Sequence, residues 1–187
     1  MRKTLFALLL LVLVSSVALA QTTERWLHVR VDNTGEKGEQ VRVNVPLSLA
    51  EAILPTIHVN KLRNGKIKLS DVHIHDVDVR ALLAAVQNSS DGEFVTVESD
   101  RKNVRVAKSE GYLLVQVREK RKDGDMHTVD IQIPFTVVEA LLSGGKDELD
   151  ILAAIRALRD HGDVELIRVT DGTETVRVWI DSQNTSE

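Results

Sequence analysis

Apolar and polar residues alternate along much of this chain with the two-residue period of half-buried strands. Residues 27–31 and 41–45 carry an apolar side chain at every second position, and a polar turn containing Gly35 and Gly38 joins them. The pattern predicts a β-hairpin with one apolar face.

A proline ends the second predicted strand, and a helical pattern follows it. Pro46 removes a backbone donor, which is tolerated at a strand end or a helix start. Ser48 and Glu51 have the spacing of a capping box, in which the hydroxyl accepts from a backbone N–H and the glutamate reaches back. Asp78 is the predicted N-cap of a second helix, with apolar residues at helical spacing over residues 79–86.

This succession of elements occurs twice. Residues 41–54 return as residues 129–142 with the proline and the Glu-Ala pair in place, and residues 78–106 return without a gap as residues 150–178. Chance alternation of valine would not preserve these features, so we interpret them as an internal duplication. The equivalent predicted caps in the second copy are Thr136, Glu139 and Asp150.

The predicted fold class is α+β, with two β-β-α-α-β-β repeats and helices packed on one face of an antiparallel sheet or sheets. A short hairpin with a tip at Gly111 joins the repeats, which predicts one continuous sheet or two sheets that share the hairpin. The opposite face should meet water or a partner, and it carries Arg30, Arg42, Asn44, Thr96 and Arg105. The predicted segments are a signal peptide (1–20), repeat 1 (21–108, with an insert at 55–77), repeat 2 (109–181) and a polar tail (182–187).

The insert at residues 55–77 has no counterpart in the second copy. Its Asn64–Gly65 pair predicts a turn between two alternating arms, and therefore a small extra hairpin or an ordered lid.

The same insert contains a candidate metal site. His73 and His75 would face one side of a strand, Asp76 lies beside them, and His58 lies across the predicted turn. Imidazole and carboxylate groups can bind Zn²⁺ or Cu²⁺. The alternative interpretation is a polar strand edge with its apolar neighbours packed inward and no cofactor.

The first residues have the three parts of a secretory signal peptide. Arg2 and Lys3 precede an apolar run over residues 5–17, and Ala18-Leu19-Ala20 fits a cleavage site. Since the run is shorter than the roughly 20 residues of a membrane-spanning helix, we favour cleavage over a membrane anchor. Export to the periplasm or the extracellular space is therefore expected.

Composition excludes several classes of function. A net charge of -4 with scattered Lys and Arg is unsuited to nucleic-acid binding, and 3% aromatic residues leave few stacking platforms. The chain has no cysteine, which excludes disulfides and thiol catalysis. Since no Gly-x-Ser-x-Gly elbow is present either, we expect a protein that is not an enzyme.

Each copy resembles the N-terminal, SHOCT-like domain of bacterial envelope-stress proteins of the YvlB/LiaX type. The matching residues are 43–47, 79–86, 95–97 and 104–106, with their counterparts in the second copy. The resemblance implies association with the cell envelope and contacts with protein or peptide partners rather than catalysis. This chain departs from that pattern in its export signal, its duplication and its insert.

Three functions follow from these observations. The favoured one is an exported, non-enzymatic interaction module that binds a protein or peptide partner in the envelope. The alternatives are a periplasmic metal-binding protein that uses His58, His73, His75 and Asp76, and a hydrolase with a site between the insert and the sheet.

Overall fold

The computed structural model describes residues 23–35, 38–59, 62–68, 85–122, 124–145 and 147–186. The predicted signal peptide lies outside these residues. Within the described part of the chain, no helix has the length and apolar character that crossing a membrane requires.

Most of the described chain forms antiparallel strands, with a few short helices, so the α+β class is confirmed with strands dominating. In chain order the elements are β1 (Trp26–Asn33), β2 (Gln40–Pro46), α1 (Leu47–Ile53), a 3-10 helical turn (Leu54–Thr56), β3 (His58–Val59), β4 (Leu62–Arg63), β5 (Lys66–Lys68), β6 (Gly92–Glu98), β7 (Lys102–Ser109), β8 (Tyr112–Lys120), β9 (Met126–Pro134), α2 (Phe135–Leu142), β10 (Glu148–Asp150), α3 (Ile151–His161), β11 (Val164–Asp171) and β12 (Glu174–Asp181).

One eight-stranded sheet contains all the long strands, in the order β2-β1-β12-β11-β9-β8-β7-β6. The two hairpins of the first half of the chain therefore lie at opposite ends of the sheet and flank the four strands of the second half. This differs from the predicted arrangement of two repeats, each with its own helices on one face.

The predicted hairpin between the two halves is confirmed. Ser109 pairs with Tyr112 across a two-residue turn of Glu110 (φ 51°) and Gly111 (φ 81°). Both turn residues have positive φ, as a two-residue type I′ turn requires, and glycine adopts this conformation without steric cost. The turn makes the sheet continuous across the boundary between the halves.

The buried core lies where the helices cover one end of the strands. One cluster contains Val86, Leu113, Phe135, Val138 and Leu142. A second contains Leu47, Val164 and Ile180, with Ile155 and Leu158 of α3 packed against it. The apolar residues nearer the other end of the strands are partly buried on the inner strands and exposed on β2 and β6.

The predicted capping boxes are wrong. Pro46 and Pro134 themselves are the N-caps of α1 and α2, and neither helix has a side-chain cap hydrogen bond. Since each helix begins directly after its proline, Ser48 and Thr136 already lie in the first turn. The Asp150 cap of α3 is confirmed, because its carboxylate accepts from the backbone N–H of Ala153 at 2.8 Å.

The insert contains the predicted hairpin, but it packs against the second half of the chain. β4 and β5 pair around Asn64–Gly65, and β5 pairs with β10. The Gly65 carbonyl accepts from the N–H groups of Ile151 (2.9 Å) and Leu152 (3.1 Å) at the start of α3. The insert therefore satisfies two N–H groups of a helix N-terminus that have no partner within the helix itself.

Candidate functional site

The two outermost strands of the large sheet, β2 and β6, are the most exposed of its strands. Every residue of β6 is exposed, and so are Gln40 to Asn44 of β2. Four valines of these strands are each more than 40% exposed: Val41 (43%), Val43 (43%), Val95 (42%) and Val97 (47%). Among the described residues no strand pairs with the outer side of β2 or β6, so each presents there a row of backbone N–H and C=O groups, and these outer sides are called the free edges.

These four valines are the ends of two apolar rows that cross the sheet. One row runs through Val41, Val31, Val176, Val169, Val129, Val117, Val104 and Val97. The next runs through Val43, Val29, Val178, Ile167, Ile131, Val115, Val106 and Val95. Each strand contributes one β-branched residue to each row, so the apolar face is continuous from one free edge to the other.

The opposite face carries a row of arginines, which confirms the predicted polar face. Arg42, Arg30, Arg177 and Arg168 lie directly opposite one another on four successive strands. Three of these arginines have a carboxylate partner: Arg30 pairs with Asp32 at 2.6 Å, and Arg177 and Arg168 share Glu165. Arg42, at the free edge, donates at 3.3 Å to an amide oxygen, that of Gln40.

Glu165 is the central acceptor of this face. Arg168 donates to both of its carboxylate oxygens at 2.7 Å, and Arg177 donates to one of them at 2.6 Å. These hydrogen bonds, those of Arg168 first, hold the pKa of Glu165 below its ordinary value of 4.5 against the opposing effect of burial. Glu165 is therefore held as an anion.

A shallow depression on the polar face contains this glutamate. The described residues that line it all belong to the sheet, and they include Leu114, Gln116, Asp130, Gln132, Glu165 and Arg168. Asp130 accepts from Arg118 at 2.6 Å, so both carboxylates of the depression are engaged with guanidinium groups. The hydrolase interpretation placed its site elsewhere, between the insert and the sheet.

A buried histidine is the feature that the sequence pattern missed. His28 has no exposed surface; its Nδ1 lies 2.7 Å from Asn44 Oδ1, and its Nε2 lies 3.0 Å from Asp181 Oδ1 and 3.1 Å from the Gln183 carbonyl. Trp179 stacks on its ring with centroids 4.9 Å apart. The strand alternation placed this histidine on the solvent side, and no local signal in the sequence shows that the C-terminal tail covers it.

Asp181 links the parts of this cluster. Burial opposes its ionisation, but hydrogen bonds from the Gln183 N–H, the Trp179 indole N–H and His28 outweigh burial and lower its pKa below 3.8. The polar groups around His28 are therefore hydrogen-bonded to one another. This connectivity indicates a structural role, in which the cluster fixes the chain after β12 against β1.

Of the predicted metal ligands, only His58 lies within the described residues. It is exposed on β3, and its Nδ1 is 2.8 Å from the Thr56 carbonyl oxygen. His73, His75 and Asp76 lie outside the described residues. Among the residues that the structure does describe, no three His, Cys, Asp or Glu side chains are grouped to hold a metal ion. The metal site thus stays a prediction from the sequence.

These features define a class: a mainly antiparallel α+β protein whose described residues form a continuous apolar face between two free strand edges. Residues 25–107 match the family model of the YvlB-like protein, C-terminal domain, which supports a YvlB-family domain over β1 to β7. The match is to a C-terminal domain rather than to the N-terminal, SHOCT-like domain that the motifs resembled, and it covers one copy rather than two. No curated protein and no solved structure matches the chain.

Proposed function

We propose that this protein is an exported, non-enzymatic interaction module of the bacterial cell envelope, and that it binds extended polypeptide segments along β2 and β6. The observation that carries this proposal is the exposure of Val41, Val43, Val95 and Val97 on strands that end the sheet. Strand addition suits such an edge, because the free backbone groups supply affinity and alternate side chains supply specificity.

The edges lack most features that keep sheet edges from associating. Natural edge strands are often protected by lysines, prolines or inward-pointing charges. The centres of these two strands are instead Val41-Arg42-Val43 and Val95-Thr96-Val97, and Pro46 lies at the end of β2, where α1 begins. β6 has a bulge between Glu93 and Val95, which leaves residues 95–98 in regular pairing with β7. Each edge thus offers a short, regular, apolar template.

A non-enzymatic role is supported by the state of the polar face. Its two carboxylates in the depression, Asp130 and Glu165, are engaged with arginines. A general base must be free to take a proton from its substrate. Export is supported by the predicted signal peptide at residues 1–20.

We also infer that residues 109–181 are a divergent second copy of the matched domain. Two observations support this: the sequence duplication, and the position of β8, β9, β11 and β12 in the same sheet as β1, β2, β6 and β7. Only the first copy then has strands at the free edges.

The proposal is tested by attaching a photo-crosslinker to a cysteine introduced at Val43 or Val97, since the chain has no cysteine of its own. The matched control carries the same label at Met126, which is 47% exposed but belongs to the internal strand β9. In envelope extract, each edge position should capture an extended segment of a partner. Binding of that segment, made as a synthetic peptide, should protect β2 or β6 amides from hydrogen exchange by about tenfold or more.

Two results would count against strand addition. One is equal capture from the Met126 position. The other is a captured peptide that binds without slowing exchange on either edge. A lysine at Val43 or Val97 provides a further check, because a charge on an edge strand opposes strand addition and should weaken peptide binding about tenfold.

A further inference from the structure

We infer that the extended segment received by each edge is the opposite edge of a second copy of this chain. β2 of one molecule pairs antiparallel with β6 of another, with Val43 opposite Val95 and Val41 opposite Val97. The inference rests on the proposed function, because it names the partner of the same two edges.

The register comes from a strand pair inside the same sheet. β9 and β11 pair with Ile131 opposite Ile167 and Val129 opposite Val169. In the duplicated sequence, the equivalents of these four residues are Val43, Val95, Val41 and Val97. They are the same four valines that are more than 40% exposed at the edges. The chain therefore carries two strands with the sequence pattern of a matched pair, and each of them lacks that partner.

In the same register, the side chains on the polar face of the two edges also fit each other. Arg168 lies opposite Asp130 in the β9–β11 pair, and the equivalent residues Thr96 and Arg42 would lie opposite each other across the new interface. Glu98 would then be diagonal to Arg42, within reach of a long side chain. Among the described residues Arg42 pairs with no carboxylate, so this glutamate would complete the arrangement that the other arginines of its row already have.

A second molecule satisfies this register better than the same chain does. Closing a sheet into a barrel requires tilted strands and a register that is staggered around the barrel. The row from Val43 to Val95 instead crosses all eight strands through directly opposed partners. If Val43 paired with Val95 of its own chain, the row would close on itself, and the register would have none of the stagger that a barrel requires. Two separate sheets can meet edge to edge without that constraint.

The contact has a defined symmetry. Each molecule has one β2 edge and one β6 edge, so pairing is head to tail and leaves one edge of each type free. Such interfaces form rings where the rotation closes and open chains where it does not. The protein should therefore form oligomers that grow with concentration, rather than a fixed dimer built from identical patches.

Engineered cysteines test the register directly, because the chain contains none. The full chain is prepared as two single variants, Val43→Cys and Val95→Cys, which are mixed and oxidised. We expect disulfide-linked pairs of unlike chains, identified by non-reducing electrophoresis and mass spectrometry. A mixture of Val43→Cys with Thr96→Cys is the control, because adjacent strand residues point to opposite faces; its yield should be about tenfold lower.

Two further variants decide between this arrangement and its rivals. The double variant Ile131→Cys/Ile167→Cys should form a disulfide within one chain, since these residues are already paired. The double variant Val43→Cys/Val95→Cys should link different chains. A disulfide within one chain would show barrel closure, and a dominant Val43–Val43 link would show identical edges in contact; either result overturns the inference.

The failure of this inference is distinguishable from that of the proposed function. Val43→Lys should abolish the concentration-dependent oligomers in sedimentation experiments while the chain remains folded. If the unmodified protein stays monomeric at all concentrations and yet binds other extended peptides along β2 or β6, the second copy is ruled out and the interaction module stands. If no peptide binds and no oligomer forms, both are overturned.

Discussion

Strands β2 and β6 match β9 and β11 in sequence pattern but differ in their pairing. β9 and β11 pair with each other, whereas β2 and β6 lie at opposite ends of the sheet. In the second half of the chain, the helices that follow β9 and precede β11 pack against each other. In the first half, the described residues of the equivalent helical segments pack against the second half: Glu51 of α1 accepts from Arg159 of α3 at 2.6 Å, and Val86 lies among residues of α2. The contacts of the flanking helices thus contribute to strand pairing, in addition to the sequences of the strands themselves.

The insert contributes to this difference. Its hairpin adds β5 to β10 and places the Gly65 carbonyl at the N-terminus of α3. It therefore ties the connection between β2 and β6 to the second half. In the second half, residues 143–149 make a much shorter connection between α2 and α3. The segment that distinguishes the two copies in sequence also helps to separate them in structure.

The largest predicted effect contrasts the paired strand with the free one. Ile131→Lys places a charge on the apolar face between β11 and β8, and we expect the free energy of unfolding to fall by about 3 kcal/mol. The equivalent Val43→Lys should change it by no more than about 0.5 kcal/mol, because an exposed edge position lets the ammonium stay in water. Urea denaturation of the two variants measures both values. Similar losses would show that β2 is not a free edge.

Much of this fold could be predicted from the sequence, because its signals are local. The alternation of valines gave the strands, the Asn64–Gly65 and Glu110–Gly111 pairs gave the hairpins, and Asp150 gave a true N-cap. The capping boxes failed because a serine or threonine followed by glutamate at the right spacing also fits the inside of a helix that begins at the preceding proline.

The sheet order and the candidate site could not be predicted in the same way. The sequence pattern of the paired strands β9 and β11 recurs in β2 and β6, yet these two strands lie at opposite ends of the sheet. The burial of His28 depends on the chain beyond Asp181, since Gln183 supplies one of its hydrogen-bond acceptors. Alternation assigns a side chain to one face of a strand, but it does not show which tertiary contacts cover that face.

The next largest effect tests the anchoring of the insert. Gly65 has φ of 75°, and a Cβ there would lie 2.9 Å from the Cβ of Leu152. Gly65→Ala should therefore cost about 2 kcal/mol, from the positive φ and the displacement of α3. Gly111→Ala is the control, because its φ is also positive but no atom lies within 4 Å of the added Cβ. Equal losses of unfolding free energy in the two variants would indicate backbone strain alone, without a contribution from the contact with α3.

A smaller effect tests the ion pairs between α1 and α3. Glu51 is 15% exposed and accepts from both Arg156 (3.4 Å) and Arg159 (2.6 Å). Glu51→Gln should lower stability by about 1 kcal/mol, because a shielded carboxylate with two arginine partners is worth more than an exposed pair. The equivalent Glu139 accepts only from the Gln87 amide among the described residues, so Glu139→Gln should cost about 0.3 kcal/mol. Thermal denaturation compares the two.

The smallest effect compares Glu165 with its repeat equivalent Glu93, and it depends on pH. Hydrogen bonds from Arg168 and Arg177 depress the pKa of Glu165 below 4.5, so its contribution to stability is complete above that pH and is lost as the pH falls through the folded-state value. Because the side chain is 34% exposed, solvent screening limits this contribution to below about 1 kcal/mol.

Glu165→Gln should therefore be less stable than the unmodified protein at pH 6, and urea denaturation should show this difference in unfolding free energy narrowing as the pH falls below 4.5. Glu93 is 49% exposed and pairs with Arg105 at 2.6 Å, so Glu93→Gln should show a smaller gap at pH 6. A gap for Glu165→Gln that does not change with pH would mean that the substitution acts through packing of the polar face. A difference in unfolding free energy for Glu93→Gln as large as that for Glu165→Gln would mean that the ion pair on β6 is shielded from solvent as well as that on β11. This would contradict the assignment of β6 as a free edge.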